Sequence, residues 1–304
     1  MKLAGLSVDV DSVASHLEGY GFERPPDDGM AYETALPRAL DLFDELGARA
    51  TFFLIAEEAE AHPETVREIV RRGHEIGSHS MTHRLPFADM SEERSQSEVV
   101  ESKALLERIS GGRVEGFRAP SWDTDSDLMA RLGRAGYRYD ASAYPSILLP
   151  LLRRSIAARS AGGSVRTRSG LWDGVFGPAG PHRIASGDET MVEIPVATTP
   201  FARLPYYHTL CYVLPEPVFR LIGAAARSRR GPTSYQFHAV DFLGTVEDRL
   251  DSRIARHPGM EVALSRKLGL ARDSLSTLSR SRRVVPLRDI AGLVDGVRSG
   301  HRSR

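Results

Sequence analysis

Asp9 and Asp11 stand two apart at the end of the apolar run that begins at Leu3, and His79 and His83 stand four apart in His79-Ser80-Met81-Thr82-His83. Strand alternation sends both carboxylates to one face, and a helical turn would point both imidazoles the same way. Asp11 with the two imidazoles makes an open facial site that suits zinc, iron or cobalt and leaves room for water and substrate. Each pair alone has a plainer reading, since an Asp-x-Asp also caps turns and a histidine pair also packs. Three more polar groups follow short apolar runs: Arg118-Ala119-Pro120-Ser121-Trp122, Tyr139-Asp140-Ala141-Ser142 and Phe237-His238. Singly they read as βα turns, a core tryptophan and a structural histidine. Five together are hard to explain as turns, because turn chemistry asks for Gly, Asn and Pro rather than repeated Asp, His and Arg.

The elements that must position these groups alternate short β-type runs with longer helical ones, the pattern of a parallel sheet covered by helices. Leu3 to Val10 predicts a first strand. Tyr32 to Leu46 carries Leu36, Leu40, Leu42, Phe43 and Leu46 at helical spacing and stops at Gly47, before the continuous apolar strand Thr51 to Ile55. The unit repeats with a helix from Pro63 to about Gly73, an extended His74 to Ser78, a helix capped by Ser91 that runs to about Ile109, and an extended Val114 to Phe117. A helix over about Asp127 to Leu132 leads through Gly136 into Tyr137-Arg138-Tyr139. Residues 145–231 break the rhythm, with Pro and Gly clusters around a short strand at Val192 to Val196 and a helix over about Pro217 to Ala226, and read as an insertion. The rhythm returns at Tyr235 to His238 and closes with Val284-Val285 and a helix from Leu287 to Val297. Polar groups at the C-terminal ends of successive strands occupy the place where α/β barrels put active sites.

Composition narrows the function classes. The 304 residues are 41% hydrophobic and 26% charged, with 40 basic against 40 acidic side chains, so no net charge steers the whole chain toward nucleic acid. Cys211 is the single cysteine, which rules out an intrachain disulfide and a thiolate metal cluster. The start of the chain lacks the apolar core of a secretory signal, and no run approaches the roughly 20 apolar residues of a membrane span. The expected setting is the cytoplasm.

In order and in type, the five groups resemble the motifs of the polysaccharide deacetylases with the NodB homology domain, carbohydrate esterase family four. The resemblance spans residues 3 to about 240, and Val285-Pro286-Leu287-Arg288-Asp289-Ile290 is similar to that family's last strand and helix. The chain departs from the common adjacent aspartates in having Asp9-Val10-Asp11, and so resembles an Asp-x-Asp subgroup. The resemblance implies a distorted (β/α) barrel, here a single domain over 1–304, and hydrolysis of an N-acyl group, N-acetyl first, from an aminosugar. It implies that Asp11, His79 and His83 hold Zn2+ or another divalent ion such as Co2+, Ni2+ or Fe2+. Asp9 becomes the general base, Arg118 its partner, His238 the acid that protonates the amine, and Asp140 the group behind His238. Trp122 becomes a wall of the sugar pocket, and His208, after Tyr206-Tyr207, a further candidate for the cleft. Deformylation or hydrolysis of a non-sugar amide, and an inactive glycan-binding subunit, are the alternatives on the same fold.

The insertion bears on the substrate. Between Leu151 and Gly231 there are eleven arginines against five acids, interleaved with the run Ile147 to Leu152, Phe201, Tyr206-Tyr207 and Phe219 to Ile222. Basic and apolar groups in alternation suit an interfacial surface. The expectation is a lipid-linked sugar met at the inner face of an anionic membrane, with peripheral contact and no nucleic-acid partner. His74, His182 and His257 are left as structural or surface residues.

Overall fold

Leu3–Val10 forms the central strand β1, and every residue after Leu3 is buried, as expected of a parallel strand covered on both faces. The computed structural model describes residues 2–85, 87, 90–149, 175–186 and 189–296. Among these, eight further strands join the same sheet: β2 (Thr51–Leu54), β3 (Glu75–Ser78), β4 (Gly116–Phe117), β5 (Tyr139–Asp140), β6 (His182–Ser186), β7 (Glu189–Glu193), β8 (Thr233–His238) and β9 (Arg283–Val285). The order is β6-β7-β5-β4-β3-β2-β1-β8, with β9 also on β1. Each pairing is parallel except the β6–β7 hairpin. One edge of β1 is shared lengthwise: Leu3–Gly5 pair with β9, and Ser7–Val10 pair with β2. The result is the mainly parallel sheet that the alternating pattern predicts, curled into the (β/α)-barrel-like form that the resemblance implies. Part of the segment read as an insertion belongs to this sheet, because β7 pairs in parallel with β5. The observed strand there is Glu189–Glu193, shifted toward the N-terminus from the expected Val192 to Val196.

Alternation along the strands separates two layers. Ala4, Leu6, Val8, Phe52, Leu54, Ile76 and Phe237 join the main core with Leu36, Leu40 and Phe43 of the helix Leu36–Glu45 and Val66 and Ile69 of the helix Pro63–Arg71. The opposite face carries Gly5, Ser7, Asp9, Thr51, Phe53, Glu75 and Gly77. The helix Leu287–Gly296 closes its lower end, with Leu287, Ile290 and Ala291 packed with Phe53, Tyr139 and Val192. A Cβ on Gly5 would stand 2.4 Å from Leu287 Cδ2, so a larger residue there would force the Leu287 side chain to shift. No helix among the described residues is long and apolar enough to cross a membrane.

Glu75 lies at this lower end. Its carboxylate accepts hydrogen bonds from Thr51 Oγ1, from Tyr139 OH at 3.0 Å and from the Arg288 backbone N–H at 3.0 Å. Burial outweighs these bonds and pushes the Glu75 carboxyl up from 4.5 to about 7. The folded chain therefore holds a proton here that the unfolded chain has released, and stability falls as pH rises from about 4.5 through about 7. Glu75→Gln should remove this slope, worth roughly 2–3 kcal/mol. Urea unfolding of parent and variant at pH 5 and pH 8 reads the difference, and parallel pH dependence in the two proteins would refute it.

Candidate active site

The C-terminal ends of β1, β3, β4, β5 and β8 bring the sequence-predicted groups to one edge of the curled sheet. Pairing sets the register: Asp9 lies opposite Phe53 on one side and His238 on the other. Arg118, buried directly after β4, reaches across the concave face. Its Nη1 donates to Asp9 Oδ1 at 2.5 Å and to Ser7 Oγ at 2.9 Å, and its Nε donates to the Ala141 carbonyl at 3.0 Å. The guanidinium sits 4.3 Å from the centre of the Phe53 ring. Phe53 fits because a Cβ on Gly77 would come within 2.6 Å of its ring atoms, so glycine leaves the space the ring fills.

Asp11 meets the two histidines. His79 Nε2 lies 3.3 Å and His83 Nε2 3.7 Å from Asp11 Oδ1, and all three ligand atoms fall within 4.8 Å of one another. His79 Nδ1 donates to the Arg118 carbonyl at 2.7 Å, which leaves Nε2 with its lone pair toward Asp11. Asp11 Oδ1 is buried without a hydrogen-bond partner among the described residues. An orphaned carboxylate oxygen facing two imidazole lone pairs is the donor set a divalent cation takes, so these residues fit one. Burial opposes ionisation of Asp11, but the facing His83 and His79 imidazoles hold its carboxyl well below the usual range. Burial lowers the His83 imidazole to about 4, whereas the Asp11 carboxylate overcomes the same penalty at His79 and raises it.

The two histidines are not on a helical turn. They belong to a loop in which Ser80 (φ 74°) and His83 (φ 61°) are left-handed. Ser80 Oγ accepts the His83 N–H at 3.0 Å, and the buried Glu98 carboxylate accepts the N–H groups of Met81 and Thr82, each at 3.0 Å. Glu98 was not legible as part of the site, because it sits in mid-helix sequence with no strand end nearby.

His238 follows β8. Its N–H is held by Asp241 Oδ2 at 2.8 Å, its Nδ1 lies 3.3 Å from Thr209 Oγ1, and its Nε2 stands 3.9 Å from Asp9 Oδ2. Asp140 does not back it, contrary to the expectation. Asp140 accepts hydrogen bonds from Ser142 Oγ at 2.6 Å and Ser142 N at 3.1 Å, and it lies opposite the buried Glu193 in the β5–β7 pairing. Burial raises both carboxyls of this pair, Glu193 strongly. Ser142 Oγ also accepts the Ala119 N–H at 2.8 Å, so the pair ties the loop after β5 to the loop that follows Arg118.

Trp122 packs with Tyr144 and Tyr207 at ring separations of 4.9 and 5.9 Å, in a turn where Ser121 and Trp122 both have positive φ. His208 does not line the cleft. It is fully buried beneath β8, with Nδ1 3.1 Å from Tyr235 OH and Nε2 3.1 Å from Tyr212 OH. Two histidines that the strand-end pattern could not find do approach the site: His16 lies 3.9 Å from Asp11 Oδ2, and His257 packs 4.5 Å from the His16 ring. Burial lowers His16 to about 4.

The family model for polysaccharide deacetylases matches residues 26–139, which include His79, His83, Arg118 and Trp122. The match covers 114 of the 304 residues, so the similarity to polysaccharide deacetylases is carried by this segment. It is 34% identical to a peptidoglycan deacetylase from Helicobacter pylori over 46% of this chain and 49% of that one. It is 30% identical to a peptidoglycan-N-acetylglucosamine deacetylase from Bacillus cereus over 34% of this chain and 40% of that one. The chain thus spans about half or less of the length of these relatives. The fold matches a Mycobacterium smegmatis structure described as a polysaccharide deacetylase, with a TM-score of 0.66, 19% identity, and coverage of 97% of this chain and 91% of that one. Puue allantoinase shares the fold with a TM-score of 0.56 and 14% identity, covering 95% of this chain and 88% of that one.

In this chain, the space beside Gly77 sets where Phe53 and hence Arg118 lie. Gly77→Ala should destabilise the fold by about 1–3 kcal/mol through overpacking, and adding Phe53→Leu should recover part of the loss. Denaturant midpoints of the two single variants and the double variant measure this coupling; strictly additive losses would show that the two positions do not press on each other.

Proposed function

We propose that this chain is a metal-dependent hydrolase that removes an N-acyl group, acetyl first, from an aminosugar in a glycan. The observation that carries the reading is the buried Asp11 carboxylate, its Oδ1 unpartnered before two imidazole nitrogens, next to an Asp9 clamped by a buried arginine. Relatives named for peptidoglycan, chitin and chitooligosaccharide deacetylation supply the substrate class. Zn2+ suits two imidazoles and one carboxylate with positions left open. When bound by Asp11, His79 and His83, it supplies Lewis acidity that polarises an amide carbonyl and makes water more acidic.

The protein groups move the protons. Asp9 takes one from the attacking water, and Arg118 keeps the carboxylate aimed and its charge balanced. His238 delivers one to the departing nitrogen, without which the amine is a very poor leaving group. The products are the free amine and the carboxylic acid. Trp122, with Tyr144 and Tyr207, offers an aromatic wall for the apolar face of a pyranose.

Asp9→Asn should retain zinc and lose turnover about 10²-fold or more, whereas His79→Ala should lose both. Metal analysis and release of acetate from N-acetylated chitooligosaccharides, with chelated and zinc-restored protein, test the two variants. Full activity after chelation, or normal zinc content in His79→Ala, would overturn the reading. With Asp9 and His238 acting as base and acid, the pH–rate profile should have two limbs.

A lipid-linked acceptor is the finer reading, supported by two exposed tips beside the aromatic wall. Phe201 is 98% and Phe176 75% exposed. Arg203 joins their loops, its Nη1 donating to the carbonyls of Val175 and Gly177. Val175 packs into the cluster of Tyr144 and Tyr207 against which Trp122 lies. The run Leu151 to Leu152 and the arginines from Arg153 to Arg168 lie outside the described residues. Co-sedimentation with anionic vesicles should exceed that with zwitterionic ones and fall in Phe176→Ser/Phe201→Ser; equal recovery with both vesicle types would count against membrane contact.

A further inference from the structure

We infer that His16 is a positioning residue for Asp11, holding its Oδ2 so that Oδ1 is reserved for a cation shared with His79 and His83. The inference rests on the metal-dependent reading above and extends it to a residue outside the five strand-end groups. The two oxygens of Asp11 face different neighbours. Oδ1 looks toward His79 Nε2 and His83 Nε2, at 3.3 and 3.7 Å. Oδ2 looks toward His16 Nε2, at 3.9 Å, and that nitrogen is buried with no partner among the described residues. A small rotation of the carboxylate brings Oδ2 into hydrogen-bond range of an Nε2–H. Carboxylates that bind metals are usually themselves hydrogen-bonded, which fixes their orientation.

The backbone makes His16 a rigid donor. It lies one turn into the helix Val13–Gly19, which begins directly after Asp11-Ser12. The Ser12 hydroxyl accepts the Ser15 N–H at 3.1 Å and donates to Glu58 Oε1 at 2.6 Å, and Ser15 Oγ and Arg24 Nη2 donate to the same oxygen at 2.7 and 2.9 Å. This buried knot fixes the start of the helix relative to Asp11. Against the His16 ring stands His257, at 4.5 Å and tilted 59°, itself held through Nδ1 by Tyr20 OH at 3.2 Å. The His16 imidazole is thus braced by a second ring.

The test measures zinc binding by full-length, metal-stripped protein in competition with a chromophoric chelator. His16→Phe keeps a ring but removes the donor and should weaken zinc binding about 10- to 100-fold, the usual loss when a ligand's hydrogen-bond partner is removed. His16→Gln restores an N–H at similar reach and should recover most of the affinity. Thermal unfolding of the metal-free proteins separates this from a folding defect, and His16→Gln serves where His16→Phe fails to fold. Parent-like zinc affinity in His16→Phe, with His79→Ala unable to bind, would overturn the role of His16 alone. Absence of zinc binding by the parent, or parent-like binding by His79→Ala, would instead overturn the metal site on which the role depends.

Discussion

The buried pair of Arg118 and Asp9 is the constraint on which the remaining geometry hangs. Taking both charges out of water costs several kcal/mol per ion, and the cost is met only when the leftover donors and acceptors are also satisfied. Here Ser7 Oγ, the Ala141 carbonyl and the Phe53 ring complete the surroundings of the guanidinium. The pair therefore joins β1, β2, β4 and the loop after β5 at a single point. His79 is fixed to the same point, because its Nδ1 donates to the Arg118 carbonyl. One arginine so sets both where a base can stand and which nitrogen of a neighbouring imidazole is free.

The sheet and the five clusters at its rim could be read from the chain because their signals are local. Apolar runs of four to eight residues followed by Asp, His or Arg mark strand ends wherever they occur, and parallel pairing then gathers those ends at one edge. The partners of each group could not be read so. Asp140 carries the right type in the right segment, yet it stands beside Glu193, 53 positions on and brought there by the β5–β7 pairing. His208 follows two tyrosines that suggest a cleft, but the fold turns it under β8, where tyrosine hydroxyls satisfy both ring nitrogens. His79 and His83 converge through a loop in which Ser80 and His83 are left-handed and Glu98 holds the N–H groups of Met81 and Thr82 between them, a route that helical periodicity does not describe.

Three buried carboxyls, Glu75, Asp140 and Glu193, lie on or beside the concave face, and burial raises each of them. Hydroxyls and backbone N–H groups supply their hydrogen bonds. Glu75 meets the first turn of the last helix, and the Asp140–Glu193 pair binds the Ser142 hydroxyl and the Ala143 N–H. The concave face thus divides its acids into two kinds: those raised by burial that fasten loops and helix ends, and those at the rim that keep company with arginine and imidazole.

The lengthwise sharing of one edge of β1 reaches into biosynthesis. The strand that presents both rim aspartates is made well before its neighbours on either side, β8 and β9, which leave the ribosome more than two hundred residues later. Until then Leu3–Gly5 has unpaired backbone groups on both sides, and such stretches invite association with other chains. The burden of guarding a nascent edge thus falls on β1, and the cleft can close into shape only after β8 and β9 have been made.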